Sequence, residues 1–189
     1  MIPLLEHPTL QDIHQARERL KPHIKRTPIL RAEKIEKTVG CQLYLKPETL
    51  QVTGAFKIRG ALNKALSLSK EEIASGLIAT SSGNHAQGIA YAARMLGVKA
   101  TIVVPVTTPR IKIENTQALG AEVILFDGDT AARWKKACEI AAENNYTAVH
   151  GFEDPLVMAG QGTIGCEILE DLEGVDTVIV PLGGGGLIS

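Results

Sequence analysis

"GLIATSSGNHAQGIAYAARMLGVKATIVVP", residues 76–105, decides the fold. A short apolar run ends in the polar turn "TSSGN". The stretch "NHAQGIAYAARMLG" then has helical spacing and closes on Gly97, and "ATIVVP" resumes as a β-branched, almost unbroken apolar run. Strand, helix and strand in that order make a βαβ unit. Strands this short and this apolar belong in a parallel sheet whose two faces are both covered by helices.

The same rhythm continues downstream. "PRIKIENTQALG" reads as a helix opened by Pro109 and closed by Gly120. "AEVILF" follows as a strand, "TAARWKKACEIAAENN" as a helix and "TAVH" as a short strand. A further helix is expected from about Asp154 to Leu172, with "DTVIVPL" as the last strand. Upstream, Ile13, Ala16, Leu20 and Ile24 recur at helical spacing behind a capping Thr9, which predicts a helix from about Leu10 to Ile24. "RTPIL" is extended, because Pro28 pushes its predecessor out of the helical region, and "CQLYLKP" reads as a strand ended by Pro47. The fold class is α/β, two-lobed, with parallel sheets flanked by helices.

Composition excludes several functions. The chain has 189 residues, a formal net charge of −1 and 44% hydrophobic residues, an ordinary globular balance. Lys and Arg are dispersed, so no nucleic-acid footprint is expected, and "RWKK" (Arg133–Lys136) reads as a solvated helix face. No run approaches the roughly 20 apolar residues needed to span a membrane, and the opening "MIPLLEHPTLQDIHQ" is not expected to be a signal peptide. Cys41, Cys138 and Cys166 lie far apart, without zinc spacing or a disulfide framework. Reduced thiols, no metal and a cytoplasmic location are the expectation.

Three stretches can carry chemistry. In "TGAFKIRG" (Thr53–Gly60), Lys57 sits among small and apolar neighbours. A desolvated lysine is a nucleophile or a base, whereas a lysine at the start of a helix is also often simply solvent-facing, and both readings are open. In "TSSGNHAQG" (Thr80–Gly88), Ser81, Ser82 and Asn84 can cap a helix. The helix start above them can also take a carboxylate or phosphate at the carboxyl edge of a strand. His85 alone reads as a packed or capping histidine rather than a catalytic one. The third stretch is "GGGGLIS" (Gly183–Ser189), four glycines after an apolar run. They form either a flexible turn or a row of bare N–H groups wrapping a phosphate. The dinucleotide fingerprint fails, since its third glycine position holds Ile188.

Taken with "RTPIL", "MAGQGTIGCEI" and "VPLGGGG", these stretches resemble the fold type II pyridoxal 5′-phosphate enzymes, in the threonine dehydratase and serine racemase branch. The resemblance implies a role for each residue. Lys57 would bond covalently to the cofactor and move the Cα proton, Phe56 would lie against the pyridine ring, and Asn84 would hydrogen-bond its phenolic oxygen. Ser82, Gly83, Asn84 and His85 would hold the substrate carboxylate, and Gly183, Gly184, Gly185 and Gly186 the cofactor phosphate. Ser82 also matches the serine that works on the opposite substrate face in racemases. Many relatives have Ser where this chain has Ala55.

The implied activity is β-elimination of L-threonine, and of L-serine, to a 2-oxo acid and ammonia. The alternatives are a serine or aspartate racemase, or a non-catalytic fragment of such an enzyme. The resemblance further implies a large cofactor-binding lobe, residues 1–70 and 150–189, that is incomplete and continues past the glycine loop. Residues 71–149 would form the small lobe. A homo-oligomer, dimer or tetramer, is implied for the full length.

Overall fold

A computed structural model of the chain describes residues 7–189. The start of the stretch read above for a signal peptide, Met1–Glu6, lies outside the described residues.

Helix α1, Leu10–Leu20, begins with a reciprocal cap. Thr9 Oγ1 accepts from the Asp12 N–H, and the Asp12 carboxylate accepts from the Thr9 N–H at 2.8 Å. It stops four residues short of Ile24, because Pro22 has no N–H for another turn. β1 (Leu30–Arg31) pairs antiparallel with β2 (Tyr44–Leu45), and α2 (Glu33–Val39) connects them. α3 (Lys57–Ser67) and α4 (Lys70–Ala74) lead into the parallel sheet.

That sheet holds β3 (Leu77–Thr80), β4 (Ala100–Pro105), β5 (Glu122–Phe126) and β6 (Thr147–Ala148) in the order β5-β4-β3-β6. α5 (Asn84–Leu96), α6 (Arg110–Ala118) and α7 (Thr130–Asn144) make the crossovers, and α8 (Pro155–Asp171) follows β6. Alternate strand residues serve opposite faces, and on β3 and β4 both faces are largely apolar. Leu77, Ala79, Ile102 and Val104 pack with Ala86, Ile89 and Ala93 of α5, and with Ile58 and Leu62 of α3 and Val157 of α8. Ile78 and Val103 pack under Ala137 and Ala141 of α7. The chain runs outward from β3 to β4 and β5, then returns to place β6 on the other side of β3. The loops after β3 and β6 therefore open side by side at the carboxyl edge, the switch point where α/β sheets bind ligands.

α3 is wedged between α5 and α8. A Cβ on Gly160 of α8 would stand 2.6 Å from the Arg59 carbonyl oxygen and from Gly60 Cα, so the two backbones touch. A Cβ on Gly88 of α5 would stand 3.1 Å from the Ala61 Cβ. A charged clamp adds to this packing. Arg59 is fully buried and bonds Glu48 through Nε and Nη2, both at 2.8 Å, and Glu167 through Nη1 at 2.7 Å and Nη2 at 3.0 Å. Lys46 Nζ stands 2.7 Å from Glu167 Oε2, and Thr27 Oγ1 donates to Glu48 at 2.7 Å. Two cations thus meet two anions, each with hydrogen-bond partners, as buried charges require.

The clamp sets an acid limit on stability. Burial pushes the Glu167 carboxyl upward, but hydrogen bonds from Arg59 and Lys46 outweigh it and hold the pKa below the usual value of 4.5. A pKa lower in the folded state gives stability that is present above the unfolded value and lost as pH falls through the folded one. Urea midpoints measured between about pH 7 and pH 3 are expected to drop on the acid side of 4.5. Glu167→Gln, less stable at pH 7, is expected to show a flatter acid limb. An unchanged limb would remove Glu167 from the account.

One expected element does not form. "DTVIVPL" is irregular, with Ile179 87% exposed and Val178 53% exposed. A strand exists only by pairing, and among the described residues β1 pairs with β2 and β3–β6 pair among themselves, which leaves this segment no ladder.

Candidate active site

The polar turn after β3 lies where the sequence places it, but its capping differs. The sequence offers Ser81, Ser82 and Asn84 as caps. In the structure the N-cap of α5 is Gly83, with no side-chain hydrogen bond, and Ser81 Oγ instead accepts from the Gly83 N–H at 3.1 Å. Gly83 has φ −148° and ψ −135° there, and no side chain caps the helix. The first turn of α5 therefore keeps N–H groups without side-chain partners at the positive end of its dipole. Ser82 and Gly83 are half-buried and Asn84 is exposed.

Lys57 is the first residue of α3, reached through a turn in which Gly54 takes φ +71°. Its Nζ is half-buried, donates to the Gly151 carbonyl at 2.7 Å and lies 5.3 Å from the Phe56 ring centroid. Burial lowers its pKa from the usual lysine value, so the neutral amine is easier to reach. Gly151 belongs to the loop after β6, and His85 joins that loop to α5. The His85 ring is buried, with Nε2 3.2 Å from the Val149 carbonyl oxygen. Burial pushes its pKa down to about 4, the nearby Lys57 and His150 push the same way, and the Val149 hydrogen bond opposes them.

Phe56, Lys57 and Phe152 face the segment Pro181–Leu187 across one cavity of about 290 Å³, close to the lower end of small-molecule pockets. The glycines fit Phe152 closely. A Cβ on Gly186 would stand 2.8 Å from the Phe152 Cβ and 2.9 Å from its Cα, and a Cβ on Gly184 would overlap the ring. Gly185 takes φ +88°, and its carbonyl accepts the N–H groups of Ile188 at 2.9 Å and Ser189 at 3.1 Å. A Cβ on Gly183 would meet nothing within 4 Å. Phe152 is held in turn by edge-on contact with His150, whose ring meets Trp134 at 4.7 Å between centroids.

The structure thus brings Phe56, Lys57 and Gly183–Gly186 around one cavity. Ser82, Gly83, Asn84 and His85 do not line it; they stand at the start of α5, linked to Lys57 through His85 and Gly151. A cavity of about 320 Å³ beside Thr53, Gln87, Arg94 and Asn115 contains no lysine and no glycine run. Sequence reading missed Gly151, Phe152 and Arg59. An aromatic beside a glycine just ahead of the Asp154 cap was the available signal for the first two. Among the described residues, no group of three His, Cys, Asp or Glu side chains can hold a metal, and no helix is long and apolar enough to cross a membrane.

Residues 20–189 match the family described as pyridoxal-phosphate dependent enzyme. The chain is 49% identical over 181 residues to L-threonine ammonia-lyase of Thermotoga maritima, covering 96% of this chain and 45% of that protein. It is 48% identical over 182 residues to the catabolic L-threonine dehydratase TdcB of Staphylococcus aureus, covering 96% and 53%. Among solved structures, maize serine racemase superposes with a TM-score of 0.93 at 37% identity, covering 97% of this chain and 56% of that one. Threonine deaminase from T.th. gives 0.86 at 45% identity, covering 95% and 58%. The chain spans about half the length of the curated relatives it matches.

Proposed function

The chain belongs to the family of pyridoxal-phosphate dependent enzymes, and from that membership we propose that it carries the lysine-bearing part of an ammonia-lyase. The reaction is β-elimination of L-threonine, and of L-serine, to a 2-oxo acid and ammonia. One observation carries the reading: a desolvated lysine amine and a four-glycine run share one cavity. The relatives named for L-threonine support the substrate.

The residues present fit the cofactor. The space beside Gly183 is open, Gly186 is pressed against Phe152 and admits no Cβ, and Lys57 Nζ is held inside rather than in bulk water. Lys57 would hold the cofactor through Nζ, Phe56 would lie against its ring, Asn84 would meet its phenolic oxygen, and Gly183–Gly186 would take its phosphate. When bound, pyridoxal phosphate supplies an electron sink that acidifies the Cα–H of an attached amino acid.

The protein side of the chemistry is proton handling and orientation. Lys57, as the amine that burial favours, takes the Cα proton at Nζ, and the β-hydroxyl gains a proton and leaves as water; return of the proton to Cα belongs to racemisation. The uncapped start of α5, with Ser82, Gly83, Asn84 and His85, receives the substrate carboxylate through its free N–H groups. Residues 71–149 act as a small lobe closing over the substrate, which excludes water. A cytoplasmic homo-oligomer belongs to the same proposal.

Racemisation is the second reading, motivated by Ser82 and by the likeness to maize serine racemase. Incubation with pyridoxal phosphate and L-threonine is expected to release 2-oxobutanoate and ammonia. Chiral analysis after L-serine separates the readings: D-serine without a 2-oxo acid replaces the lyase by the racemase, and neither product overturns both.

A further inference from the structure

The Lys57 ammonium rests on a carbonyl that its own residue cannot hold in place. Gly151 has no side chain, and it lies just past β6, a strand of two residues. The ladder reaches as far as the Val149 N–H, which donates to the Ile78 carbonyl at 2.8 Å. Beyond it the backbone leaves the sheet. On the far side the Glu153 N–H donates to His150 Nδ1 at 2.8 Å. Between those anchors the Val149 carbonyl meets His85 Nε2 at 3.2 Å. A Cβ on Gly151 would stand 3.4 to 3.8 Å from His85 ring atoms, so the imidazole lies against the Gly151 backbone.

From this we infer that His85 is a positioning residue for Lys57. Its Nε2–H pins the Val149 carbonyl, and its ring backs Gly151, so the Gly151 carbonyl stays aimed at Lys57 Nζ. The inference rests on the reading of Lys57 as the cofactor-bearing lysine. A carbonyl oxygen only accepts, so the hydrogen bond requires a neutral ring protonated on Nε2, or an imidazolium. The groups facing the ring are Lys57 of α3, His150 of the same loop and Asp154 at the cap of α8. Burial favours the neutral ring, and Nδ1 is left buried without a partner among the described residues. A neutral His85 fixes geometry without adding a second cation beside Lys57.

Glutamine and asparagine substitutions separate this role from general packing. The glutamine amide nitrogen takes the place of Nε2, whereas the asparagine nitrogen takes that of Nδ1 and falls short of Val149. Pyridoxal phosphate is titrated into each protein, the product is fixed with borohydride, and the modified residue is mapped by mass spectrometry, alongside melting curves. H85Q is expected to load within about twofold of the unaltered protein, and H85N about tenfold more weakly at equal folded fraction, the size of one lost buried hydrogen bond. Unaltered protein that takes no label at Lys57 sinks the cofactor reading. Label at Lys57 with H85Q and H85N loading alike sinks the inference alone. Nitrogen NMR of the unaltered protein needs no variant to fold: His85 is expected to stay neutral with the proton on Nε2 from about pH 8 to about pH 5, and an Nδ1–H tautomer overturns the inference.

Discussion

Lys57→Ala, supplied with pyridoxal phosphate and L-threonine, is expected to release 2-oxobutanoate at least about 10³-fold more slowly than the unaltered protein. The magnitude follows from two roles on one nitrogen. General base catalysis alone contributes roughly 10² to 10⁴-fold, and the proposed covalent attachment of the cofactor is lost with it. The fold is expected to survive, because the Lys57 side chain makes one hydrogen bond, to the Gly151 carbonyl, and helix α3 is held elsewhere. Unfolding curves are therefore expected to shift by about 1 kcal/mol or less. A variant that keeps its rate within tenfold would separate the reaction from this amine.

Arg59→Leu is expected to act the other way round, on stability first. Removing one partner of a buried ion pair costs about 3–5 kcal/mol, because the remaining charge is left uncompensated. Here two carboxylates, Glu48 and Glu167, lose their shared guanidinium together. Urea unfolding at pH 7 measures the loss. The acid limb is also expected to flatten: Glu167 keeps Lys46 but loses the Arg59 hydrogen bonds that help hold its pKa down, so less stability is lost as pH falls. A loss below about 1 kcal/mol would mean the clamp is solvated in solution.

Much of this fold was readable in the chain because its signals are local. The Thr9–Asp12 cap, the helix ends at Gly97 and Gly120 and the β-branched runs of β3 and β4 each depend on a few neighbouring residues. The misses are long-range. "DTVIVPL" has every local mark of a strand and lacks only a partner to pair with among the described residues. Arg59 looks like any surface charge until Glu167, far along the chain, closes over it. The site divides the same way. The glycine run stood out by composition and Lys57 only through the family resemblance, whereas their shared cavity depends on Phe152, whose packing against Gly186 no local pattern announces. Ser82 and Asn84 looked like caps because their chemistry suits the task, but Gly83 takes the cap position and Asn84 is already the first residue of the helix.

The wedge of α3 between α5 and α8 has a consequence for how the molecule is made. Lys57 and Arg59 leave the ribosome early, yet Gly160 and Glu167, which seat their helix, come about a hundred residues later. Contacts of such sequence separation close late, since the entropy of bringing distant segments together is lost before any packing is gained. The cavity beside Lys57 thus lacks its far wall until synthesis has passed Leu187, and it is among the last features to take shape.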